Sequence, residues 1–450
     1  MTSQIDVVIL AAGESTRMRS NTPKVLHSLA GRPMIDYSVR LAEALSDQLP
    51  LVVVGRGADE VKAFLGDRVV YVEQRERLGT GHAVLQARSV LAERPNTTLV
   101  FYGDMPLLTV ETMAGLLALH EQSGGKLSML TFESDTPRGF GRIVRGQNGD
   151  VQAIVEEVDC TPGQFLITEL NPGLYCYDGD WLWQSLEAIP IGSKGEYFLT
   201  DLVEIAVNQG HRVAAHIVDD ASEMLGINNR IHLAEAEQVI RQRINRYWME
   251  SGVTMIDPAS TYIDDTVMIG PDTRILPSTH LKGSTRIGGG CEIGPGSFVA
   301  DTLVGDRCVV RFSMLEQATL EDQVNVGPFS HLRPGAHLAQ GVHMGNFGEV
   351  KNSYLGPGVK MGHFSYLGDA TVGRNVNIGA GTITCNYDGK KKQATVIEDD
   401  VFIGSDTMLV APVTLGEGAQ TGAGSVVTKD VPPGQLVLGV PARPRSENEG

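Results

Sequence analysis

The sequence predicts a chain in which an α/β domain with a Rossmann-like, mixed and mostly parallel sheet is joined by a long helix to a parallel β-helix. Three observations support this. Strand-like and helix-like segments alternate from residue 5 to about residue 225, as in α/β domains. A charged segment over 229–252, with no proline or glycine inside it, is typical of one long helix. After Gly252 apolar residues recur every six positions, which indicates a parallel β-helix. The predicted domains are therefore 1–228 and 253–450, with the linker helix between them.

Size and composition limit the function. At 450 residues, with 42% hydrophobic and 20% charged residues, the chain is typical of a soluble protein of two or three domains. No apolar run approaches membrane-spanning length, and we expect no signal peptide before the first strand. The five scattered cysteines contain no Cys-x-x-Cys pair, which favours free thiols and a cytoplasmic location. The net charge of −17 argues against nucleic-acid or membrane partners, so anionic substrates would need locally placed cations.

The first domain should carry its ligands beyond the carboxyl ends of its strands. Unbroken apolar runs predict buried strands at Val7–Leu10, Leu51–Val54, Val69–Val72 and Leu99–Tyr102. Helical patterns lie between them, near Pro33–Leu45, Gly81–Ala92 and Val110–Glu121. This alternation predicts helices on both faces of the sheet.

The stretch that follows the first strand predicts a nucleoside triphosphate site. Leu10 leads into Ala11, Ala12 and Gly13, whose small side chains let backbone N–H groups approach a ligand closely. Two cations, Arg17 and Lys24, follow within a few residues. A small-residue turn followed by cations suits phosphates, although neither common Gly-rich phosphate motif is present.

Two further strand ends carry residues that could bind part of a ligand. Gln74 is followed by Leu78-Gly79-Thr80-Gly81, where two glycines would let backbone donors approach a planar base. The alternative there is a simple helix start with Thr80 as its cap. Asp104 follows Tyr102 and Gly103 and could hold a divalent ion, or it could be only a turn former before Pro106.

The linker helix is preceded by Gly226-Ile227-Asn228-Asn229. Asparagine before a long helix is a common N-cap, so either of the two asparagines could cap the helix and leave the other for a different role. Apolar residues along 229–252 form a stripe among many charges, and Gly252 is a natural stop. We expect this helix to separate the two domains.

The second half predicts about ten triangular coils of three hexapeptides each. The apolar residues that recur every six positions form a predicted ladder, which breaks after Val299, resumes at Val326 and shifts register after Val350. Its residues are Ile263, Ile269, Ile275, Leu281, Ile287, Ile293, Val299, Val326, Leu332, Leu338, Met344, Val350, Leu355, Met361, Leu367, Val372, Ile378, Ile397, Ile403, Leu409, Leu415, Thr421 and Val427.

An interruption of this repeat marks a candidate second site. Residues 385–396, which contain three consecutive lysines, do not fit the ladder, and a loop expelled from a regular coil is a common place for function. His363 lies a little upstream, where a neutral imidazole could take a proton from an attacking amine. Glu349 is about one coil away and could orient it. Lys351, Tyr366, Asn377 and Lys392 lie on neighbouring turns, and the cationic patch that they form on an acidic protein suits a phosphosugar.

The stretch Leu-Ala-Ala-Gly-Glu-Ser-Thr-Arg-Met over 10–18, with Pro23 and Lys24, resembles the signature of sugar-1-phosphate nucleotidyltransferases. This resemblance implies catalytic roles for Arg17 and Lys24 and an Mg²⁺ held by Asp104 and Asn228. The implied contacts with UTP and UDP-N-acetylglucosamine come from Leu10, Ala11, Ala12, Gly13, Lys24, Gln74, Gly79, Thr80, Tyr102, Asp104, Gly141, Glu156, Asn171 and Asn228.

With the β-helix motifs Gly-His-Phe-Ser-Tyr-Leu-Gly-Asp over 362–369 and Asn-Ile-Gly-Ala-Gly-Thr over 377–382, nearly the whole chain resembles one family. These are the bifunctional bacterial glucosamine-1-phosphate acetyltransferases / N-acetylglucosamine-1-phosphate uridylyltransferases. The resemblance implies a left-handed β-helix, a homotrimer, and His363 as catalytic base. It implies glucosamine-phosphate contacts from Arg333, Lys351, Tyr366, Asn377 and Lys392, and acetyl-CoA contacts from Ala380, Asn386, Tyr387, Ser405 and Ala423.

The chain departs from the family pattern at two places. Glu14-Ser15 stands where some members carry Lys-Gly, and Arg443 is the one candidate for a coenzyme-contacting arginine near the C-terminus. Two alternatives stay open: a monofunctional sugar-1-phosphate nucleotidyltransferase with a structural β-helix, and a non-enzymatic translation-factor subunit of similar architecture. The second would not need Arg17, Lys24, Asp104 and Asn228 together.

Overall fold

The computed structural model describes residues 4–13, 16–94, 96–192 and 195–444, so Glu14 and Ser15 lie outside the described residues. The chain divides into two compact units, 1–240 and 241–450. This division falls inside the linker helix, and the domain boundaries at 228 and 252 stay a prediction. No helix in the described ranges is both long and apolar enough to cross a membrane.

The first unit is built on one large sheet. Its strands, together with a short hairpin formed by β2 and β3, are β1 (Ile5–Ala11), β2 (Ser28–Leu29), β3 (Arg32–Pro33), β4 (Leu51–Val54), β5 (Val70–Glu73), β6 (Thr97–Tyr102), β7 (Leu127–Glu133), β8 (Gly141–Arg145), β9 (Val151–Val155), β10 (Glu169–Asn171), β11 (Tyr175–Asp178) and β12 (Ala214–Ile217). The order across the sheet is β5-β4-β1-β6-β11-β7-β10-β8-β9, with β12 beside β7.

The sheet is mixed, and its parallel part is smaller than predicted. Strands β5, β4, β1 and β6 run parallel, as the predicted strand–helix alternation requires. Beyond β6 the pairings through β11, β7, β10, β8 and β9 are antiparallel, and only β12 runs parallel to β7. The sequence over 127–178 has short connections rather than crossover helices, and short connections produce antiparallel neighbours.

Helices cover both faces of this sheet, as predicted. They are α1 (Met34–Leu45), α2 (Ala58–Leu65), α3 (Thr80–Gln86), α4 (Arg88–Leu91), α5 (Val110–Ser123), α6 (Gly179–Ser185) and α7 (Asp201–Asn208). Alternate residues of β1 belong to two different cores: Ile9 packs with α1 and α5, and Leu10 packs with α3, α6 and α7. Burial on both faces explains the unbroken apolar run Val7–Leu10 within β1.

The linker helix is α8 (Arg230–Glu250). The helix begins after Asn229, whose side-chain oxygen accepts the backbone N–H groups of Ile231 and His232, both at 2.9 Å. Asn229 is therefore the N-cap, which leaves Asn228 for another role. Within the first unit Glu237 accepts the backbone N–H of Ala30 at 2.8 Å.

The second unit is a parallel β-helix with three faces. The first face contains Thr254–Met255, Arg274–Ile275, Glu292–Ile293, Val309–Val310, Asn325–Val326, His343–Met344, Lys360–Met361, Asn377–Ile378, Phe402–Ile403, Gln420–Thr421, Leu436–Gly439 and Ala442–Pro444. The second contains Tyr262–Ile263, His280–Lys282, Phe298–Ala300, Met314–Glu316, His331–Leu332, Gly348–Lys351, Ser365–Gly368, Ile383–Cys385, Met408–Val410 and Val426–Val427. The third contains Met268–Ile269, Arg286–Ile287, Leu303–Val304, Thr319–Leu320, His337–Leu338, Tyr354–Leu355, Ala370–Val372, Thr395–Ile397 and Val413–Leu415.

The described strands of the second face number ten, which confirms the predicted count of about ten coils. Every residue of the predicted ladder is buried. The predicted break after Val299 is not a break in the coil. Val304, Val310, Leu315 and Leu320 continue the interior ladder, but the steps 299–304, 310–315 and 315–320 are five residues long instead of six, which a strict six-residue pattern misses.

Candidate active sites

The carboxyl ends of β1 and β6 meet at one cavity of about 420 Å³. Leu10 is paired with Tyr102, and the N–H of Gly103 donates to the carbonyl of Leu10 at 2.9 Å, so the turns after both strands lie at the same edge. All ten residues predicted to surround the nucleotide here do line the cavity: Leu10, Ala11, Ala12, Gly13, Lys24, Gln74, Gly79, Thr80, Tyr102 and Asp104.

The turn around Gly79 is dictated by packing as well as by ligand access. Gly79 has a φ of +97°, and a Cβ there would lie 2.5 Å from the backbone oxygen of Tyr197. The alternative interpretation, in which Thr80 is the helix cap, is wrong. Gly79 occupies the N-cap position of α3, and the Thr80 hydroxyl accepts the backbone N–H of Leu199 at 3.0 Å. Gln74 is buried and donates to the carbonyl of Gly79 at 3.0 Å, which holds this turn against the end of β5.

A second cavity of about 320 Å³ adjoins the first, since Thr80, Tyr102 and Asp104 line both. The four remaining residues predicted for this half of the site all line it: Gly141, Glu156, Asn171 and Asn228. Among the polar side chains of its wall, six are uncharged and two, Asp104 and Glu156, are carboxylates, a set that suits sugar hydroxyls.

The wall of the second cavity is held by internal hydrogen bonds. Asn171 is buried, donates to the hydroxyl of Tyr175 at 2.8 Å, and accepts the N–H of Gly173 at 3.0 Å. Glu156 accepts the hydroxyl of Thr200 at 3.2 Å. Burial, followed by Asp104 and Glu156, raises the pKa of Tyr102, so its hydroxyl stays protonated and able to donate.

Lys24 lines the first cavity close to its junction with the second, whereas Arg17 lines neither cavity and reaches the junction through Asn228. Lys24 contacts the carboxylate of Asp104, and its Nζ lies 3.3 Å from the side-chain oxygen of Asn228. Arg17 donates to the same Asn228 oxygen at 2.9 Å. Four residues from three distant segments of the chain therefore lie together. Among the described residues no group of three His, Cys, Asp or Glu side chains could hold a metal ion, so a metal here would rely on Asp104, Asn228 and its substrates.

Several lining residues were not predicted, among them Arg77, Phe198 and Thr200. The segment that carries Phe198 and Thr200 reaches the cavities because the backbone of Tyr197 bonds to Leu78 at 2.7 Å and to Gly81 at 2.9 Å. Nothing in the local sequence indicates this long-range contact.

On the β-helix, a cationic cluster forms at the second face and beside the expelled loop. The Lys392 ammonium, and after it the Arg333 guanidinium, lowers the pKa of Lys351, so these three predicted residues are close enough to interact. Tyr366 pairs with Glu349 on the neighbouring strand. The expectation that Glu349 orients His363 is wrong, because the carboxylate of Glu349 accepts from Arg333 at 2.8 Å.

Four predicted residues form a column along the corner that follows the first face. His363, Ala380, Ser405 and Ala423 each lie two residues after a ladder residue of that face, on successive coils. His363, Ser405 and Ala423 are exposed. Asn377 lies on the first face itself, whereas Lys351 and Tyr366 lie on the second. The predicted acetyltransferase residues thus lie on two faces, at the corner between those faces, and in the expelled loop.

The expelled loop is anchored at its base. Asn386 is buried and donates to Asp369 at 2.6 Å, while Asn352 donates to the other carboxylate oxygen at 2.6 Å. The side chain of Tyr387 is exposed, and its backbone forms an isolated antiparallel β-bridge with Lys392 across the loop. Arg443 lies on the terminal strand, paired with Leu438 on the strand before it.

Known proteins are similar to this chain over nearly its whole length. Residues 7–226 match the MobA-like NTP transferase domain, and residues 394–429 match the bacterial transferase hexapeptide (six repeats). The bifunctional protein GlmU of Heliobacterium modesticaldum is 50% identical over 435 residues, which cover 96% of this chain and 94% of that protein. The GlmU proteins of Halalkalibacterium halodurans and Bacillus subtilis are 46% and 45% identical over 443 residues, 98% of this chain and 97% and 96% of theirs.

Identity of this extent over nearly the full length, with a nucleotidyltransferase and a hexapeptide transferase match in one chain, confirms both the predicted family and the predicted pair of activities. The protein is a bifunctional enzyme, a uridylyltransferase and an acetyltransferase, and it belongs to the GlmU family.

Proposed function

We propose that uridylyl transfer takes place where the two cavities of the first unit meet. The nucleotide occupies the cavity lined by Gly13, Gln74 and Gly79, and N-acetylglucosamine-1-phosphate occupies the one lined by Glu156 and Asn171. The observation that supports this is the contact of Lys24 with both Asp104 and Asn228 at the junction. Positive charge is concentrated where the phosphates of two anionic substrates would have to approach each other.

The reaction follows from these positions. A phosphate oxygen of N-acetylglucosamine-1-phosphate attacks the α-phosphorus of UTP in line, a P–O bond forms, and the bond to pyrophosphate breaks. The attacking oxygen is already an anion, so no strong general base is needed. Lys24 and Arg17 bind and orient the phosphates and offset the charge that develops, so they contribute positioning and electrostatic stabilisation.

Asp104 and Asn228 fit an Mg²⁺ ion. Their oxygens share one ammonium group, Lys24, so a cation already lies between them. A carboxylate and an amide oxygen are hard ligands, and Mg²⁺ commonly uses one or two protein oxygens with phosphate oxygens and water. When bound, Mg²⁺ neutralises charge on the triphosphate and the leaving pyrophosphate. Displaced from Asp104, Lys24 would be free to bind phosphate.

We propose that acetyl transfer takes place at the corner that carries His363. The amine nitrogen of glucosamine-1-phosphate attacks the thioester carbon of acetyl-CoA, a C–N bond forms, the C–S bond breaks, and His363 accepts the amine proton. Arg333, Lys351 and Lys392, with Tyr366 and Asn377, bind the phosphosugar. Ala380, Asn386, Tyr387, Ser405 and Ala423 bind acetyl-CoA. The product is the substrate of the first unit, so acetyl transfer precedes uridylyl transfer.

A homotrimer is proposed from the corner that carries His363. Phe312, Phe329 and Phe347 form an exposed ladder along it, with ring centroids 5.7 and 5.4 Å apart. All three have positive φ, an uncommon conformation for bulky residues. Phe364, also exposed, continues the phenylalanine ladder and is next to His363 in the chain. A second copy packed on this ladder would bury it and would bring a second set of site residues to His363.

A cytoplasmic location is part of the proposal. It is supported by the five cysteines, all of which lie in the described ranges and form no disulfide.

The experiment that tests both sites measures two products from one preparation. Thiol release from acetyl-CoA with glucosamine-1-phosphate reports the β-helix site, and pyrophosphate release from UTP with N-acetylglucosamine-1-phosphate and Mg²⁺ reports the first unit. We expect His363→Ala to lower thiol release by about 100- to 10,000-fold and to leave pyrophosphate release unchanged. We expect Lys24→Ala to do the reverse, with a loss of about 100-fold or more.

Each variant is the folding control of the other. If the wild type released no thiol, the β-helix would be structural, as in the monofunctional alternative. If pyrophosphate release proved independent of Mg²⁺, the metal assignment of Asp104 and Asn228 would be wrong.

A further inference from the structure

A buried carboxylate outside the cavities connects the two segments that carry Asp104 and Asn228. Glu223 is only 6% exposed. One carboxylate oxygen accepts the backbone N–H and the hydroxyl of Thr109, at 2.9 and 3.0 Å. The other accepts the hydroxyl of Thr112 at 2.9 Å. Glu223 does not line either cavity, so it has no direct contact with substrate.

The bonds to Glu223 hold it firmly at the start of α5. Thr109 is the N-cap of α5, and its hydroxyl also accepts the N–H of Thr112 at 3.2 Å. A helix N-terminus carries partial positive charge and unpaired N–H groups, both of which favour a carboxylate. A buried carboxylate is tolerated only when hydrogen bonds replace its hydration, so loss of this placement would be costly. The Glu223 segment is therefore fixed to α5.

This connection is placed symmetrically about the proposed metal ligands. Thr109 lies five residues after Asp104, and Glu223 lies five residues before Asn228. A second bond closes the gap, because the N–H of Ile227 donates to the backbone carbonyl of Asp104 at 2.9 Å. The two segments are thus joined both at the ligands and five residues away from them.

Asn228 needs such support more than Asp104 does. Asp104 follows β6, which is paired on both sides in the sheet. Asn228 lies between the short 3₁₀ turn Ala221–Met224 and α8, and it belongs to no strand. Ligand oxygens must be held within about half an ångström of their working positions. A segment bonded only through Ile227 could pivot about that bond.

We propose that Glu223 is a positioning residue that sets the distance between Asp104 and Asn228 and thereby the Mg²⁺ affinity of the uridylyltransferase site. The proposal rests on the Mg²⁺ site proposed above. It differs from a role in general stability, because it predicts a specific effect on metal binding at the first unit and none on the β-helix.

The test uses the full-length protein with Glu223→Gln, which keeps the shape and removes the charge, and Thr112→Val, which removes one donor from the other end. Asp178→Asn is the matched control. Like Glu223, Asp178 is a carboxylate at the N-terminus of a helix, where it accepts the N–H of Trp181 at 2.9 Å, but it lines neither cavity because it lies at the opposite end of β11. Thiol release from the β-helix checks the integrity of each preparation.

Two readouts are measured. The first is the Mg²⁺ concentration that gives half-maximal pyrophosphate release. The second is independent of turnover: binding of Mn²⁺ in the presence of UDP-N-acetylglucosamine, followed by the EPR signal of the free ion. Outer partners of metal ligands commonly change affinity by about 10- to 100-fold, and we expect Glu223→Gln to weaken both quantities by about 10-fold or more. Thr112→Val should weaken both quantities to a smaller extent. Excess Mg²⁺ should restore much of the pyrophosphate release in both variants.

The outcomes distinguish a failure of the positioning role of Glu223 from a failure of the metal site itself. If the wild type required Mg²⁺ but Glu223→Gln shared its Mg²⁺ and Mn²⁺ dependence, the positioning role would be wrong and the metal site would stand. If Asp178→Asn weakened metal binding as much as Glu223→Gln, the effect would be one of general stability and the positioning role would again be wrong. If the wild type bound no Mn²⁺ and needed no Mg²⁺, the metal site itself would fail.

Discussion

At the scale of single residues, Asp201, which follows Thr200 of the second cavity, shows how the burial of a carboxyl group affects stability. Burial, followed by the charges of Glu204 and Glu156, raises the pKa of Asp201 from an ordinary 3.8 to about 6. A carboxyl whose pKa is raised by folding favours the folded state when protonated. That contribution is fully present below about pH 4 and is lost as the pH rises through about 6.

Replacement of Asp201 should therefore stabilise the first unit near neutral pH. We expect Asp201→Asn to raise the free energy of unfolding by about 1 kcal/mol at pH 7.5, a value reduced for solvent screening, and to give no gain near pH 4. Thermal unfolding of both proteins across this pH range would measure it. An equal gain at pH 4 and pH 7.5 would show that titration of Asp201 is not the cause.

At the scale of elements, the start of α8 contains one asparagine that caps the helix and one that we propose binds metal. Asn229 caps the helix, and Asn228 points to Arg17 and Lys24. We expect Asn229→Ala to lower the free energy of unfolding by about 1 kcal/mol and Asn229→Ser to cost little, because serine also caps helices.

Asn228→Ala makes the matched comparison, because it removes the same side chain one residue earlier. It should leave the stability of α8 nearly unchanged and reduce Mg²⁺-dependent pyrophosphate release. Chemical denaturation and the pyrophosphate assay on the same samples would measure both. If Asn229→Ala lost activity while Asn228→Ala lost stability, the two roles would have to be exchanged.

At the scale of the whole molecule, the proposed trimer predicts that the two activities depend differently on assembly. Phe329 lies in the middle of the exposed ladder, stacked between Phe312 and Phe347. We expect Phe329→Asp to dissociate the trimer in sedimentation velocity, to reduce thiol release strongly, and to leave pyrophosphate release intact. Tyr354→Asp, an exposed residue of the third face, is the control. A monomeric variant with full thiol release would show that one chain completes the acetyltransferase site.

The sequence by itself determined the periodicity of each half and the residues at the strand ends. A buried parallel strand must be apolar throughout, and a β-helix must place an apolar residue inside at every short turn, so both patterns are local and can be read without a structure. For the same reason Gly13, Lys24 and Asp104 could be predicted to line the first cavity. Gly13 follows β1, Asp104 follows β6, and Lys24 belongs to a recognisable motif.

The tertiary structure alone decided the long-range pairings. It shows that Asn229 rather than Asn228 caps α8, that Glu349 pairs with Arg333 rather than with His363, and that the antiparallel strands β7 to β11 complete the sheet. It also brings Glu223 to the start of α5. Each of these depends on segments that are distant in sequence, and such contacts are set by the packing of the whole unit rather than by local residue preference.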